Sequence, residues 1–355
     1  MADRTSDRIP SRRTGETGIS PVTWAVFFLS WTLYYWLRTW DFYAVDGALR
    51  ALDAMRADKV FFHGNNHMFY PVWFYLWGKL LNLVGTPETD PVALMRSAQT
   101  LNTLLSAGIL ACLHHLFRQM VGTSRALLGV GVFGLCNAFF KHATNSAEVI
   151  PGIFFGVLGL CWMVAGIRRD SIWRLGMSGA WLALAIGSYQ SMGQLALVGI
   201  VLCCNLSGLA TPARLPISTM ISRLLWVGVG GTLGLCAVYG WAFHTQGVPW
   251  GQMVSRFFKM TEGSDAFFGF YLARALHLPL GYLSGWYKIL PPDSTGIRDT
   301  ITRWDAAIWI AWIATGALVV GIIAHRVARG WWLMFRERGP IWFTTTIVAG
   351  VGLAL

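Results

Sequence analysis

Charge is scarce in this chain. Asp, Glu, Lys and Arg make up 13% of its 355 residues, while 55% are hydrophobic and 19 are tryptophan. A water-soluble fold cannot hydrate that much apolar surface, so a globular soluble domain is excluded for most of the chain. Repeated apolar runs of about 20 residues, the length that crosses a hydrocarbon core of roughly 30 Å, indicate an all-α polytopic membrane protein instead. Cysteine is sparse too. The six cysteines (Cys112, Cys136, Cys161, Cys203, Cys204 and Cys236) sit inside apolar runs without CxxC spacing. That argues against a zinc ribbon or disulfide framework and for small core residues. A basic face separate from the apolar segments is also missing, so the formal charge of +11 does not indicate nucleic acid. No internal repeat supports a transporter built from inverted halves.

The apolar runs set an order of spans. The first covers about 22–40, the next begins near Met95, and others follow at about 126–142, 149–167, 175–190, 192–208, 224–244 and 305–324. A ninth starts near 341 and is expected to be cut short. One run, Met68 to Gly85, is ambiguous, because Pro71, Lys79 and its aromatics suit the interface as well as the core. Charge decides it. If this run does not cross, Arg118, Arg125, Arg168, Arg169, Arg174, Arg214, Arg223, Arg326, Arg329, Arg336 and Arg338 share the cytoplasmic side with Arg4, Arg8, Arg12 and Arg13 of the tail. If it crosses, those arginine loops turn outward, against the positive-inside bias. The expected organisation is therefore a basic cytoplasmic tail at 1–21 and a transmembrane core at 22–244 that includes an outer loop at 41–94. A long outer loop at 245–304 with interfacial helices follows, and then the C-terminal helices at 305–355.

Three polar clusters fall on the outer side. Asp41 and Asp46 follow the first span, and Asp46 opens a segment whose Leu49, Leu52, Met55 and Val60 recur near helical spacing. The segment reads as an amphipathic juxtamembrane helix. Asp46 is then either its N-cap or a carboxylate placed to take a proton, and Asp53 and Asp58 form a solvated face. The second cluster, `HGNNHMFYP`, holds His63, Asn65, Asn66 and His67. Histidines four apart bind one ion well on a helix, and Gly64 with the paired asparagines argues against a helix there. Hydrogen bonding to a phosphate or sugar is the preferred reading, and no metal site is assigned. The third cluster, `KHATNSAE`, carries Lys141 and His142 and ends on Glu148 at the start of a helix, where the dipole favours a carboxylate. A membrane-boundary acid facing a cleft is also a functional candidate.

These stretches carry a resemblance. The order of an Asp-led amphipathic segment, `HGNNHMFYPVWFYLWGKLLNLVG`, `MRSAQTLNTLLSAGILACLHHLFRQMVG` and `NSAEVIPG` resembles the N-terminal half of integral-membrane GT-C glycosyltransferases. That superfamily includes dolichyl-phosphate-mannose protein mannosyltransferases and bacterial aminoarabinose transferases. The resemblance covers about residues 20–205, with Asp46 matching the loop acid, His63 to Pro71 the His-Pro segment, Arg96 the following helix and Glu148 the outer Ala-Arg-x-(Asp/Glu)-like motif. The Pro-Pro pair is missing, Asp46-Gly47 stands for an Asp-Glu pair, and no motif arginine precedes Glu148.

The resemblance implies a GT-C-like bundle of about nine helices. It would move a sugar from a polyprenyl-phosphate donor to a hydroxyl of a protein, lipid or glycan acceptor. The implied place is a bacterial inner membrane or cell membrane, with the site on the extracytoplasmic face among membrane lipids. Asp46 would be the base, with Asp41 as the alternative, and Glu148 would orient the acceptor or a neighbouring cation. Lys141 and His142, then Arg256, Lys259 and His63, would stabilise the leaving phosphate, with Asn65, Asn66 and His67 on the donor. No cofactor is assigned, and a divalent cation is left open. The rival readings are a transporter or lipid flippase, which wants ionisable residues deep within its helices, and a non-catalytic scaffold.

Overall fold

The computed structural model describes residues 18–38, 45–57, 69–85, 90–146, 149–189 and 216–253, with short pieces at 192–193, 195, 198–200, 202–204, 255, 325 and 329. The expected tail at 1–21, the loop at 245–304 and the C-terminal spans at 305–355 lie almost wholly outside these residues. Among the described residues the regular structure is helical, with no strand. Three helices are long and apolar enough to cross a membrane: Pro91–Gln119, Val149–Arg169 and Ile217–Thr245. An all-α membrane protein is met at that level.

In chain order the helices are α1 (Pro21–Trp36), α2 (Val45–Arg56), α3 (Tyr70–Leu83), α4 (Pro91–Val121), α5 (Thr123–Leu135), α6 (Asn137–Ala143), α7 (Val149–Arg169), α8 (Ile172–Ser188) and α9 (Ile217–Thr245). Local chemistry sets several ends. The Ser20 hydroxyl accepts the Thr23 N–H at 3.2 Å ahead of Pro21, and Asp90 Oδ2 accepts the Ala93 N–H at 3.0 Å ahead of Pro91. Proline at the first helical position loses no bond there, because that N–H has no partner inside the helix. The Asp90–Pro91 cap starts α4 four residues before the Met95 read from hydropathy. α4 stops at Gly122, whose φ of +85° lets the chain reverse into α5.

α4 is the hub. α1 runs antiparallel to it: Thr23 Oγ1 lies 2.9 Å from His114 Nδ1, and Arg38 Nη1 donates to Thr100 Oγ1 at 2.7 Å. α7 runs parallel to α4, with Phe154 against Gly108, Cys161 Sγ donating to the Cys112 carbonyl at 3.5 Å, and Arg168 bonded to Gln119. α8 returns along α7, where Gly152, Gly159 and Gly166 meet Tyr189, Leu182 and Leu175. α9 then runs parallel to α8: Gly176 meets Gly230, Gly179 meets Val227, and Gly187 meets Val238. Two neighbouring helices with one direction need a return strand of chain between them. Leu195 against Gly156, Gly199 against Met163, and Cys203 buried with Met163 and Ile167 trace that return along α7, where a span at 192–208 is expected. The end where α1 finishes and α4 and α7 begin is called the nest end below. Arg118, Arg168, Arg169 and Arg174 mark the other, arginine end.

The run expected as one span at 126–142 is two helices. Cys136 is extended (φ −64°, ψ 139°), so α5 stops and α6 starts anew. A break within an apolar layer frees backbone carbonyls that water cannot reach. The Tyr34 hydroxyl, 1% exposed, donates to the Gly134 carbonyl at 2.7 Å and supplies the missing partner. α9 also differs from expectation. It begins at Ile217 rather than 224, which draws Arg223 into the helix, where it is 8% exposed.

α2 and α3 close the nest end. The amphipathic pattern of α2 is real, with Asp53 and Arg56 exposed and Ala51, Leu52, Ala54 and Met55 buried. Its apolar face rests on Tyr70, Phe74, Leu94, Ala98 and Leu101 of α3 and α4. A Cβ on Gly78 would sit 2.9 Å from the Met55 carbonyl oxygen, so glycine is what allows α2 and α3 to approach so closely. α3 begins with the Phe69 N–H on the Gly187 carbonyl at 2.9 Å, and it touches α4 through Ser97, Leu101 and Leu105 in that helix's first half.

Tyr34→Phe should cost about 1–2 kcal/mol, because it strands the buried Gly134 carbonyl. The chemical-denaturation midpoint of detergent-purified protein checks this, and an unchanged midpoint would refute the role assigned to the hydroxyl.

Candidate functional site

The first half of α4 carries Gln99, Asn102, Thr103 and Ser106. Their spacing places them on one helix face, and all four are 0–1% exposed. Facing them is the turn after α6, where Thr144, Asn145 and Ser146 are also 0–2% exposed. Asn102 Nδ2 donates to the Asn145 carbonyl at 2.8 Å. The Ser146 N–H donates to Asn145 Oδ1 at 2.8 Å, and the Tyr70 hydroxyl of α3 donates to the Ser146 carbonyl at 3.0 Å. Three parts of the chain thus meet in a polar nest inside an otherwise apolar bundle. Thr103 and Thr144 turn their hydroxyls onto the carbonyls of Thr100 and Phe140, at 2.8 and 2.9 Å. Ser106 Oγ and Ser146 Oγ are buried with no hydrogen-bond partner. A buried hydroxyl in that state costs about 1–3 kcal/mol, which a ligand hydroxyl or phosphate oxygen would relieve.

Beside the nest runs an apolar groove of about 210 Å³ lined by Trp73, Leu76, Trp77, Leu80, Leu101, Leu105 and Phe155. Leu101 and Leu105 alternate on α4 with Asn102 and Ser106, so one helix supplies a wall to each. The tryptophans are held by their indole N–H groups. Trp73 Nε1 donates to Ser188 Oγ at 2.9 Å, and Trp77 Nε1 donates to Ser97 Oγ at 3.0 Å. With each polar handle bound, the rings are free to present apolar surface. Trp73 packs on Phe155 at 4.5 Å between centroids, and Phe155 stacks on Trp181 at 5.8 Å.

A cation stands at the same end. Arg38, just past α1, lies over the Tyr35 ring at 3.8 Å and donates through Nη1 to Thr100 Oγ1 and to the Arg96 carbonyl at 3.2 Å. Its reach of about sixty residues along the chain is not visible in the sequence. The polar face of α4 is visible there, as a repeat of three and four residues within a membrane-length run.

The sequence-derived candidates separate. Asp46 is the second residue of α2 and so lies inside the helix rather than at the cap before it. Lys141 and His142 are exposed on α6 while the next three polar residues are buried. Asp41, Glu148, His63, Asn65, Asn66, His67, Arg256 and Lys259 lie outside the described residues. Glu148 is nonetheless two residues after buried Ser146 and adjacent to Val149, the first residue of α7. Among the described residues no group of three His, Cys, Asp or Glu is placed to hold a metal ion. No family model, curated protein or solved structure matches the chain.

Asn102→Ala should cost about 1–3 kcal/mol by stranding the Asn145 carbonyl, whereas Ser106→Ala should leave stability unchanged or raise it. Paired denaturation curves decide. An equal loss in both variants would show that Ser106 is an ordinary packing contact.

Proposed function

We propose that the chain is a membrane glycosyltransferase of GT-C type with about nine spans. It moves a sugar from a polyprenyl-phosphate donor to an acceptor hydroxyl on the extracytoplasmic side. The observation that carries this reading is a buried polar nest, with two unbonded hydroxyls, next to a tryptophan-lined apolar groove. A lipid-linked sugar has the same two halves. The isoprenoid chain suits the groove, and the sugar and phosphate suit the nest and Arg38. α2 and α3 fit an outer loop, because the described contacts of α3 fall on the first half of α4 and the ends of α8 and α9 nearest to it.

In this mechanism Asp46, or Asp41 in its place, accepts the proton of the acceptor hydroxyl as its oxygen attacks the anomeric carbon. The bond from that carbon to the donor phosphate breaks, and polyprenyl phosphate leaves with the electron pair. The leaving group is already an anion at neutral pH, so it needs cations rather than a strong acid. Arg38 joins Lys141, His142, His63, Arg256 and Lys259 as candidates for that task. Glu148, tethered between the nest and α7, positions the acceptor.

In liposomes supplied with a polyprenyl-phosphate sugar, Asp46→Asn should lower the transfer rate about 10²–10⁴-fold and Glu148→Gln about 10²-fold. Full activity in Asp46→Asn would pass the base role to Asp41. Wild-type protein that transfers from no lipid-linked donor yet moves a solute across the bilayer would replace the proposal with a transporter. Topology has its own test. Asn82→Cys, at the far end of α3, and Lys141→Cys should both react with an impermeant maleimide from the same side. Labelling from opposite sides would mean that α3 crosses.

A further inference from the structure

At the arginine end α8 and α9 run in the same direction, and the pairing of Gly176 with Gly230 and of Gly179 with Val227 puts the positive start of α8 level with Arg223, while α9 projects about two turns past it. Neither receives a side-chain cap, from Ser171 before α8 or from Pro216 before α9. Arg223 lies on the same α9 stripe as Val227, Gly230 and Gly234, which meet Gly179, Gly176 and Ala180 across the seam. It stands one turn before Val227 and therefore faces the start of α8. Long side chains on a helix lean back toward its N-terminus, which carries the guanidinium toward the open first turn of α8.

The side chain is 8% exposed, and its Nε and Nη1 are buried without a hydrogen-bond partner. An arginine cannot shed its proton to escape this, and an uncompensated buried charge is strongly unfavourable. The surrounding sequence offers no anion. The chain has no Asp or Glu between Asp170 and Glu262, and Asp170 itself is exposed in the turn before α8. Exposed Arg168 and Arg169 and half-buried Arg174 raise the positive potential at the same end. The site wants a compact anion with several acceptor oxygens.

We infer that Arg223 and the adjoining N-terminus of α8 bind a phosphate oxyanion, carried by an anionic lipid headgroup or by a soluble phosphate. The guanidinium fork matches two phosphate oxygens, and the first N–H groups of α8, which have no partner within the helix, face the same charge. The site lies at the opposite end of the bundle from the nest, so its occupancy and sugar transfer can be measured apart.

The test uses the full chain in nanodiscs of phosphatidylcholine, of phosphatidylcholine with phosphatidylglycerol, and of phosphatidylcholine with inorganic phosphate in the buffer at matched ionic strength. The wild type should gain about 2–4 °C in Tm with phosphatidylglycerol, and a gain with inorganic phosphate instead would name the soluble source. Arg223→Gln should lose that gain while remaining at least as stable as wild type in neutral lipid. Ser171→Asp places a carboxylate at the α8 N-cap, a favoured position, and so fills the site from within. It should raise Tm in neutral lipid and lose the response to either anion, and it decides the matter if Arg223→Gln does not fold. No gain in wild type from either anion, or a full gain retained in both variants, overturns the site.

Discussion

A backbone group that leaves its helix inside a bilayer must find another partner, and this constraint organises the nest end of the bundle. Three carbonyls there are met by side chains distant in sequence. Tyr34 serves Gly134 from 100 residues away, Tyr70 serves Ser146 from 76 away, and Asn102 serves Asn145 from 43 away. A fourth, that of Gly187 at the end of α8, takes the Phe69 N–H. Each bond exists because a helix stops, and each ties α1, α3 or α4 to the place where it stops. The positions of α1, α3 and α4 around the turn at 144–146 follow from where those carbonyls point.

The same constraint separates structural polarity from polarity left for other work. The hydroxyls of Tyr70, Thr103 and Thr144 and the Nδ2 of Asn102 each have a backbone partner and answer to the fold, while Asn102 Oδ1 has none. The hydroxyls of Ser106 and Ser146 have none either, although Ser106 lies within α4, where a serine can turn onto the carbonyl four residues back. Their burial is stabilised by the packing around them rather than by a bond of their own. The adjoining groove is built the opposite way: Trp73 and Trp77 give their N–H groups to Ser188 and Ser97 and keep apolar surface toward the space. One wall of α4 thus has polar atoms seeking partners, and the next has none exposed.

What could be read in the sequence divides along physical lines. Amphipathicity is a local periodicity, so α2 was legible from Leu49, Leu52 and Met55, as was the wet side at Asp53. Its partner was not, because the fit of Gly78 against Met55 is a property of two helices and not of either alone. Hydropathy located the three helices of membrane length among the described residues but missed ends that side-chain capping governs, as at Asp90 and Pro91. It also missed the break at Cys136, a residue with no turn preference, because Tyr34 stabilises that break from across the bundle. Arg223 shows the limit of charge counting. As a basic residue near a span end it was assigned to a loop on the positive side. In the fold it lies within α9, because the glycines at 176, 179 and 230 bring two helices close enough to enclose it.

That glycine seam has an electrostatic consequence beyond packing. Small residues let membrane helices approach closely, and van der Waals contact is then the main gain. When the helices are parallel, their like dipole ends also lie toward the same end of the bundle, where opposite charge compensates them. At the nest end the negative termini meet partial compensation, since the Phe69 N–H takes the last-turn carbonyl of Gly187. At the arginine end the positive start of α8 lacks a side-chain cap, and Arg223 of α9 adds a full positive charge beside it. An anion beside that arginine would offset both positive charges at once. The two halves of α8–α9 therefore differ in kind: one end is closed by the chain's own backbone, and the other is complementary to a charge that the surrounding sequence does not contain.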